Sequence, residues 1–243
     1  LEIVSLMNKT LRHRGPDDHD TWIDSKKLVS FSHSRLSIIE LSKAGHQPMV
    51  SRCGRYVIVF NGEIYNHIEI REEIEDHKSY YWEGQSDTET ILAAISKWGF
   101  EKSINKFVGM FSIACWDKEK SELLLTRDRI GEKPLYYGLQ NNLLVFSSEI
   151  KAFKQVKDFP LKINRDIIPL YIARKFIPAP FSIYKNIYKL IPGTFLKINK
   201  DNLLKNQELN PIPYWDLEKD IIRKNYNKSL KISDQKVIDN IDF

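Results

Sequence analysis

Three residues stand where a side-chain amide, a guanidinium and a carboxylate could each meet a small polar molecule. In VIVFNGEIYNH, residues 57 to 67, four apolar residues run into Asn61-Gly62, and an acid, an aromatic, a second amide and a histidine follow. Asn-Gly after a β-rich run is the strongest short signal for a tight hairpin turn. An amide NH2 beside a glycine N–H is also a pair of donors that can be aimed at one oxygen. Arg35 stands in HSRLSII, residues 33 to 39. A planar guanidinium there can pair with a carboxylate through two charge-assisted hydrogen bonds, or sit at a strand end as a surface cation. Asp87, in GQSDTETI at 84 to 91, falls in the first turn of a predicted helix, where an acid complements the helix dipole and is also rigidly held.

The usual nucleophiles and metal ligands offer less. Cys115, in the apolar run MFSIACW, reads as a small core residue. Cys53, in SRCGRY, sits in a polar turn before a strand with no base near it in sequence, so a structural role is expected. The six histidines show neither HExxH nor clustered ligand spacing, and no metal site is expected.

The elements that must position these residues follow from the hydrophobic pattern. LEIVSLMNKTLRH has a near-helical apolar stripe and ends at the RGPDD turn. Strand-like runs follow at TWID, KLVSFSHSRLSII, RYVIVFNGEIY and, after a charged helix at roughly 67 to 77, SYYWEG. Ser86 with Glu89 three residues on predicts a capping box, and Ile91, Leu92, Ile95 and Trp98 give the buried stripe of the longest helix. A second β block comprises MFSIACWD, SELLLTRDR, PLYYGLQ and LLVFSSEI, with links short enough for antiparallel pairing. The stretch INRDIIPLYIARKF reads as a further helix. Strands in blocks with helices between and after them predict an α+β domain.

At 243 residues, 42% hydrophobic and 12% aromatic, the chain is long and apolar enough for one large domain or a domain with an appendage. No apolar run reaches membrane-spanning length and no signal-like segment is found, so no membrane partner is expected. The formal charge of +5 is spread among 32 acids, which argues against a nucleic-acid partner. Two cysteines make no disulfide framework and point to a reducing, cytoplasmic setting.

Seven stretches in one order carry a resemblance: RHRGPDD (12 to 18), HSRLSII, FNGEIYNH (60 to 67), GQSDTETI, TRDRIGEKPLYY (126 to 137), SSEIKAF (147 to 153) and KLIPGT (189 to 194). Together they resemble the N-terminal glutaminase domain of glutamine-hydrolysing asparagine synthetases, class II glutamine amidotransferases of the N-terminal-nucleophile hydrolase type. Sister amidotransferases carry His-Thr-Arg at the arginine motif; His33-Ser34-Arg35-Leu36-Ser37 has the asparagine-synthetase form.

The resemblance implies a four-layer αββα sandwich, two antiparallel sheets between helical layers, with its first strand missing here. Residues 1–200 would be the glutaminase domain, and 201–243 a linker and the start of an absent synthetase domain. It also implies that L-glutamine is bound by Arg35 at the α-carboxylate and Asp87 at the α-ammonium. The Asn61 amide and Gly62 N–H would form the oxyanion hole, and Leu36, Ser37, Ile38, Ile39 and Glu63 would line the pocket. The family's nucleophile is an N-terminal cysteine that this chain lacks, so the chain alone is expected to be inactive. No cofactor is expected in this domain. ATP and Mg2+, with L-aspartate as acceptor, would belong to the synthetase domain, and a homodimer is left open. Two alternatives stand beside this reading: the same half of a synthetase with another carboxylate acceptor, and a non-catalytic glutamine-binding module.

Overall fold

The computed structural model describes residues 1–75, 80–205 and 208–223. The chain opens with helix α1 (Glu2–Lys9) and a 3-10 turn at Arg12–Arg14, then strands β1 (Asp18–Ile23), β2 (Ser30–Arg35), β3 (Met49–Val50) and β4 (Tyr56–Ile64). Helices α2 (His67–Glu75), α3 (Asp87–Trp98) and α4 (Phe100–Lys106) follow, then β5 (Gly109–Asp117), β6 (Glu122–Arg127), β7 (Tyr136–Gln140) and β8 (Leu143–Ser147). Beyond a 3-10 helix at Ile150–Gln155 come α5 (Ile168–Arg174), β9 (Tyr188–Lys189), β10 (Thr194–Ile198), α6 (Lys200–Leu204) and β11 (Ile212–Pro213).

The largest sheet runs β11-β10-β6-β5-β4-β3, every pair antiparallel. Its strands alternate as a sheet covered on both faces must. Ile58 and Phe60 of β4, with Phe111, Ile113 and Cys115 of β5, face one way and meet Ile91, Leu92 and Ile95 of α3 and Ile70 and Ile74 of α2. Val57 and Val59, with Ala114 and Trp116, face the other way and meet Phe31 of β2 and Tyr137 of β7. The outer side of the β7 ladder packs Val145 against Phe153 and Met7, so α1 and the 3-10 helix form the fourth layer. The expected αββα order is present.

The second sheet is divided, not continuous. β1-β2 and β8-β7-β9 are separate ladders, bridged by Phe31 and Phe146 edge to face at 5.8 Å. Residues 208–216, expected in a linker, belong to this fold: β11 pairs with β10, and Tyr214 donates its hydroxyl to Arg127 O at 2.9 Å. The remainder of the expected linker, 224–243, lies outside the described residues.

Four local expectations are corrected. Asn61-Gly62 is no hairpin turn; it lies within β4, opposite Ser112 and Phe111 of β5. Gly62 has φ +153, and a Cβ there would stand 2.1 Å from Met110 O, so glycine serves strand-to-strand approach and not chain reversal. SYYWEG forms no strand in its described part. Its Trp82 ring lies under the Arg71 guanidinium at 4.0 Å, and Tyr80 and Tyr81 lie beside Arg52, so the aromatics cap cations instead of joining a ladder. Ser86 caps α3 by accepting from Thr88 N at 3.1 Å. Glu89 does not close a capping box; it accepts from Glu83 N at 2.9 Å and Gly84 N at 3.1 Å, holding the preceding loop. Finally, β2 stops at Arg35, and 36–39 leave the ladder as a loop. The helix expected at 67 to 77 spans His67–Glu75, and 76–79 lie outside the described residues.

No helix among the described residues is long and apolar enough to cross a membrane.

Candidate functional site

A cavity of about 440 Å³ lies between the end of β2, the second half of β4 and the end of β8. Val57, Val59 and Asn61 alternate onto the same face of β4, so the Asn61 amide projects between the two sheet layers. It reaches Ser148 Oγ only at 3.5 Å, too far to be firmly held.

The backbone beside it presents a row of donors. Phe60 N donates to Gln47 Oε1 at 2.7 Å and Ile64 N to Asp87 Oδ2 at 3.0 Å. Gly62 lies between them in the same alternating row. Its partner Phe111 turns both its own backbone groups to Asp128, donating N–H to Oδ2 at 3.2 Å and accepting from Asp128 N at 2.8 Å. The Gly62 N–H therefore points to the open edge of β4, as do the groups of Phe60 and Ile64. A side-chain amide and a main-chain N–H thus border one cavity from adjacent positions.

Arg35 ends β2 and lines the same space, with only 8% of the residue exposed. Two of its five N–H groups are already engaged: Nη1 donates to Ser42 O at 3.0 Å, and Nη2 donates to Glu40 O. The RGPDD turn pins the end of β2. Asp17 N donates to Arg35 O, and Asp17 Oδ2 accepts from Ser37 N at 2.8 Å. Asp18 Oδ2 meets His46 Nδ1 at 2.7 Å while Asp20 Oδ2 meets Nε2 at 3.1 Å, tying the 36–46 loop to β1.

Asp87 is the first residue of α3 and is 6% exposed. Burial pushes its carboxyl up to about 6, the nearby Glu63 adds to the rise, and the N–H groups of Ile64 and Thr88 only partly offset it. Leu36 and Ile38, 55% and 69% exposed, form an apolar rim; Ile39 and Glu63 also line the cavity. Ser37 is not among the lining residues, and its main-chain N–H is taken by Asp17.

The sequence reading missed His33, Glu40 and Ser148, all of which line the cavity. His33 sits two residues before Arg35, on the same face of β2, and its Nε2 meets Phe60 O at 3.0 Å. Burial brings its pKa down to about 4, so the ring is neutral, Nε2 carries the proton for the carbonyl, and Nδ1 is left as a buried acceptor without a partner. The alternation of β2 was the signal that placed it beside Arg35. The cysteines lie elsewhere. Cys115 is fully buried in the core, where burial pushes its thiol up. Cys53 is exposed, beside Ser51 and Ser96. Among the described residues no group of three or more His, Cys, Asp or Glu side chains is arranged to hold a metal ion.

The antiparallel αββα sandwich gathers paired donors, an arginine and a buried carboxylate around one cavity. The family model for a glutamine amidotransferase domain matches residues 2–215, and the chain belongs to that family. It is 38% identical over 234 residues to putative asparagine synthetase [glutamine-hydrolyzing] 2 of Methanocaldococcus jannaschii, covering 89% of this chain and 44% of that protein. It is 37% identical over 200 residues to asparagine synthetase [glutamine-hydrolyzing] 1 of Bacillus subtilis, covering 82% and 31%. The chain thus spans less than half the length of these relatives. The glutamine phosphoribosylpyrophosphate amidotransferase of B. subtilis superposes over 88% of this chain and 46% of its own, with a TM-score of 0.63 at 18% identity, a likeness of fold.

Proposed function

We propose that this chain is the glutamine-hydrolysing part of an asparagine synthetase. The observation that carries the reading is the convergence of Arg35, Asp87 and the Asn61-Gly62 donor pair on one cavity. In this reading Arg35 takes the α-carboxylate of L-glutamine and Asp87, as carboxylate, takes its α-ammonium. The side-chain amide then lies against Asn61 and Gly62. A thiolate attacks the amide carbon, and the oxyanion accepts from the Asn61 NH2 and the Gly62 N–H, each contributing about 3 kcal/mol to barrier lowering. As that intermediate collapses, the leaving NH2 takes up the proton that the thiol gave up and departs as ammonia; water then cleaves the thioester, giving glutamate and restoring the thiol.

By the family resemblance we assign the thiolate to an N-terminal Cys-Gly segment; no cysteine lines the cavity among the described residues. The released ammonia would serve the ATP- and Mg2+-dependent amidation of aspartate in a part of the protein beyond this fold, in the cytoplasm.

The test compares the 243-residue chain with the same chain extended by its upstream coding sequence. The chain alone should bind L-glutamine and release no ammonia, whereas the extended protein should release ammonia and lose that activity when its leading cysteine becomes alanine. Ammonia release by the 243 residues alone would place the nucleophile inside the chain and overturn this assignment.

A further inference from the structure

We infer that Glu40 is a positioning residue that fixes the distance between the two charged ends of the amino-acid clamp, Arg35 and Asp87. The inference rests on the clamp reading above. Arg35 and Asp87 belong to different elements, the end of β2 and the start of α3, and the segments leading from one and into the other meet at a single carboxylate. Glu40 Oε1 accepts from Ser42 N at 2.9 Å, which folds the 40–45 loop back on itself. Glu40 Oε2 accepts from Gln85 N at 2.8 Å, two residues before Asp87. The same loop offers Glu40 O and Ser42 O to the Arg35 guanidinium. Glu40 thus holds the arginine through its backbone and the helix entry through its side chain.

The close approach this requires is built into two glycines. A Cβ at Gly84 would stand 2.6 Å from both Glu40 Oε2 and Ala44 Cβ, and one at Gly45 would stand 2.1 Å from Arg35 Nη2. From the other side, the 83–86 loop is fixed by Glu89 and by Arg71, which donates to Gly84 O and Ser86 O at 2.8 Å each. Gln47 anchors the far end of the Arg35 loop, donating to Thr88 Oγ1 at 3.2 Å. The near end has Glu40. Hydrogen bonds from Gln85 N–H first, and then from Ser42, hold its carboxyl at about 2, so the latch stays charged at any neutral pH.

The test separates positioning from mere folding by using two ligands. L-Glutamine engages both ends of the clamp, whereas glutaramic acid, the analogue without the α-amino group, engages only Arg35. Calorimetry on the 243-residue chain should show Glu40→Gln losing about tenfold in L-glutamine affinity, the equivalent of one hydrogen bond to a charged group. Glutaramic acid binding should change less than about twofold, because the variant keeps the Arg35 end. Gly84→Ala, which pushes a methyl into the carboxylate, should give the same selective loss and serves if Glu40→Gln unfolds. Equal weakening of both ligands, or no change in either, overturns the inference. A wild-type chain that fails to favour L-glutamine over glutaramic acid overturns the clamp reading itself, and this inference with it.

Discussion

Asp87 sets two pH dependences of opposite sign. Its folded pKa of about 6 exceeds the ordinary carboxylate value of 3.8 because burial penalises the charge. The folded chain therefore binds this proton more tightly than the unfolded chain does, and the Asp87 contribution to stability declines as pH rises from about 4 to about 6. Binding an ammonium needs the carboxylate, so L-glutamine affinity should rise over the upper part of that window and fall about tenfold per unit below about pH 6. Calorimetry between pH 5 and 7.5 checks this, and an affinity flat across that range would remove Asp87 from the ammonium end. At this scale the polar residues singled out in the sequence come together, though not in the local setting expected of them. Asn61, Arg35 and Asp87 do share a cavity. The turn rule failed at Asn61-Gly62 because Gly62 is needed against the Met110 backbone, a partner far along the chain that no local rule can see. The resemblance put Ser37 in the pocket with its neighbours, but it is not among the lining residues, and its main-chain N–H donates to Asp17 Oδ2.

Helix α3 is the element on which the site depends most, since it carries Asp87 at its first residue and buries Ile91, Leu92 and Ile95 against the main sheet. Ser86→Ala removes the acceptor for Thr88 N and should cost about 1 kcal/mol in urea unfolding, while leaving the Glu89 bonds to the preceding loop intact. A loss under about 0.3 kcal/mol would mean that solvent replaces this cap fully. The helix, its cap and strands β4 to β8 were legible because α3 carries a 3.6-period apolar stripe and the strands are short β-rich runs bounded by turn residues. SYYWEG misled because aromatic content marks strands only where a partner strand is free to receive them. Here Arg71 and Arg52 take the rings instead.

For the whole molecule, the layer order followed from the seven motifs and agrees with the alternation of β4 and β5, whereas the splitting of the second sheet had no sequence signal. Another feature appears only at this scale. Ile168, Tyr171 and Ile172 of α5, with Phe176 and Phe181 just after it, are all exposed. Large apolar residues gathered in this way mark a surface prone to association. The chain should self-associate with rising concentration in sedimentation, and Ile172→Lys with Phe176→Lys should abolish this without lowering the unfolding midpoint by more than a degree or so. Association that persists in the double variant would locate the contact elsewhere.

The placing of Asn61-Gly62 inside a nine-residue strand, instead of on a turn, gives the cavity two walls of unlike stiffness. One wall is β4, laddered to β5 over its full length, which fixes the Gly62 N–H and the backbone that carries Asn61. The other is the 36–46 loop, whose position depends on a handful of side-chain bonds. A ligand entering this cavity would meet a fixed anvil and an adjustable jaw, so substitutions in the sheet should change how fast an amide reacts, and substitutions in the loop should change which amide is held.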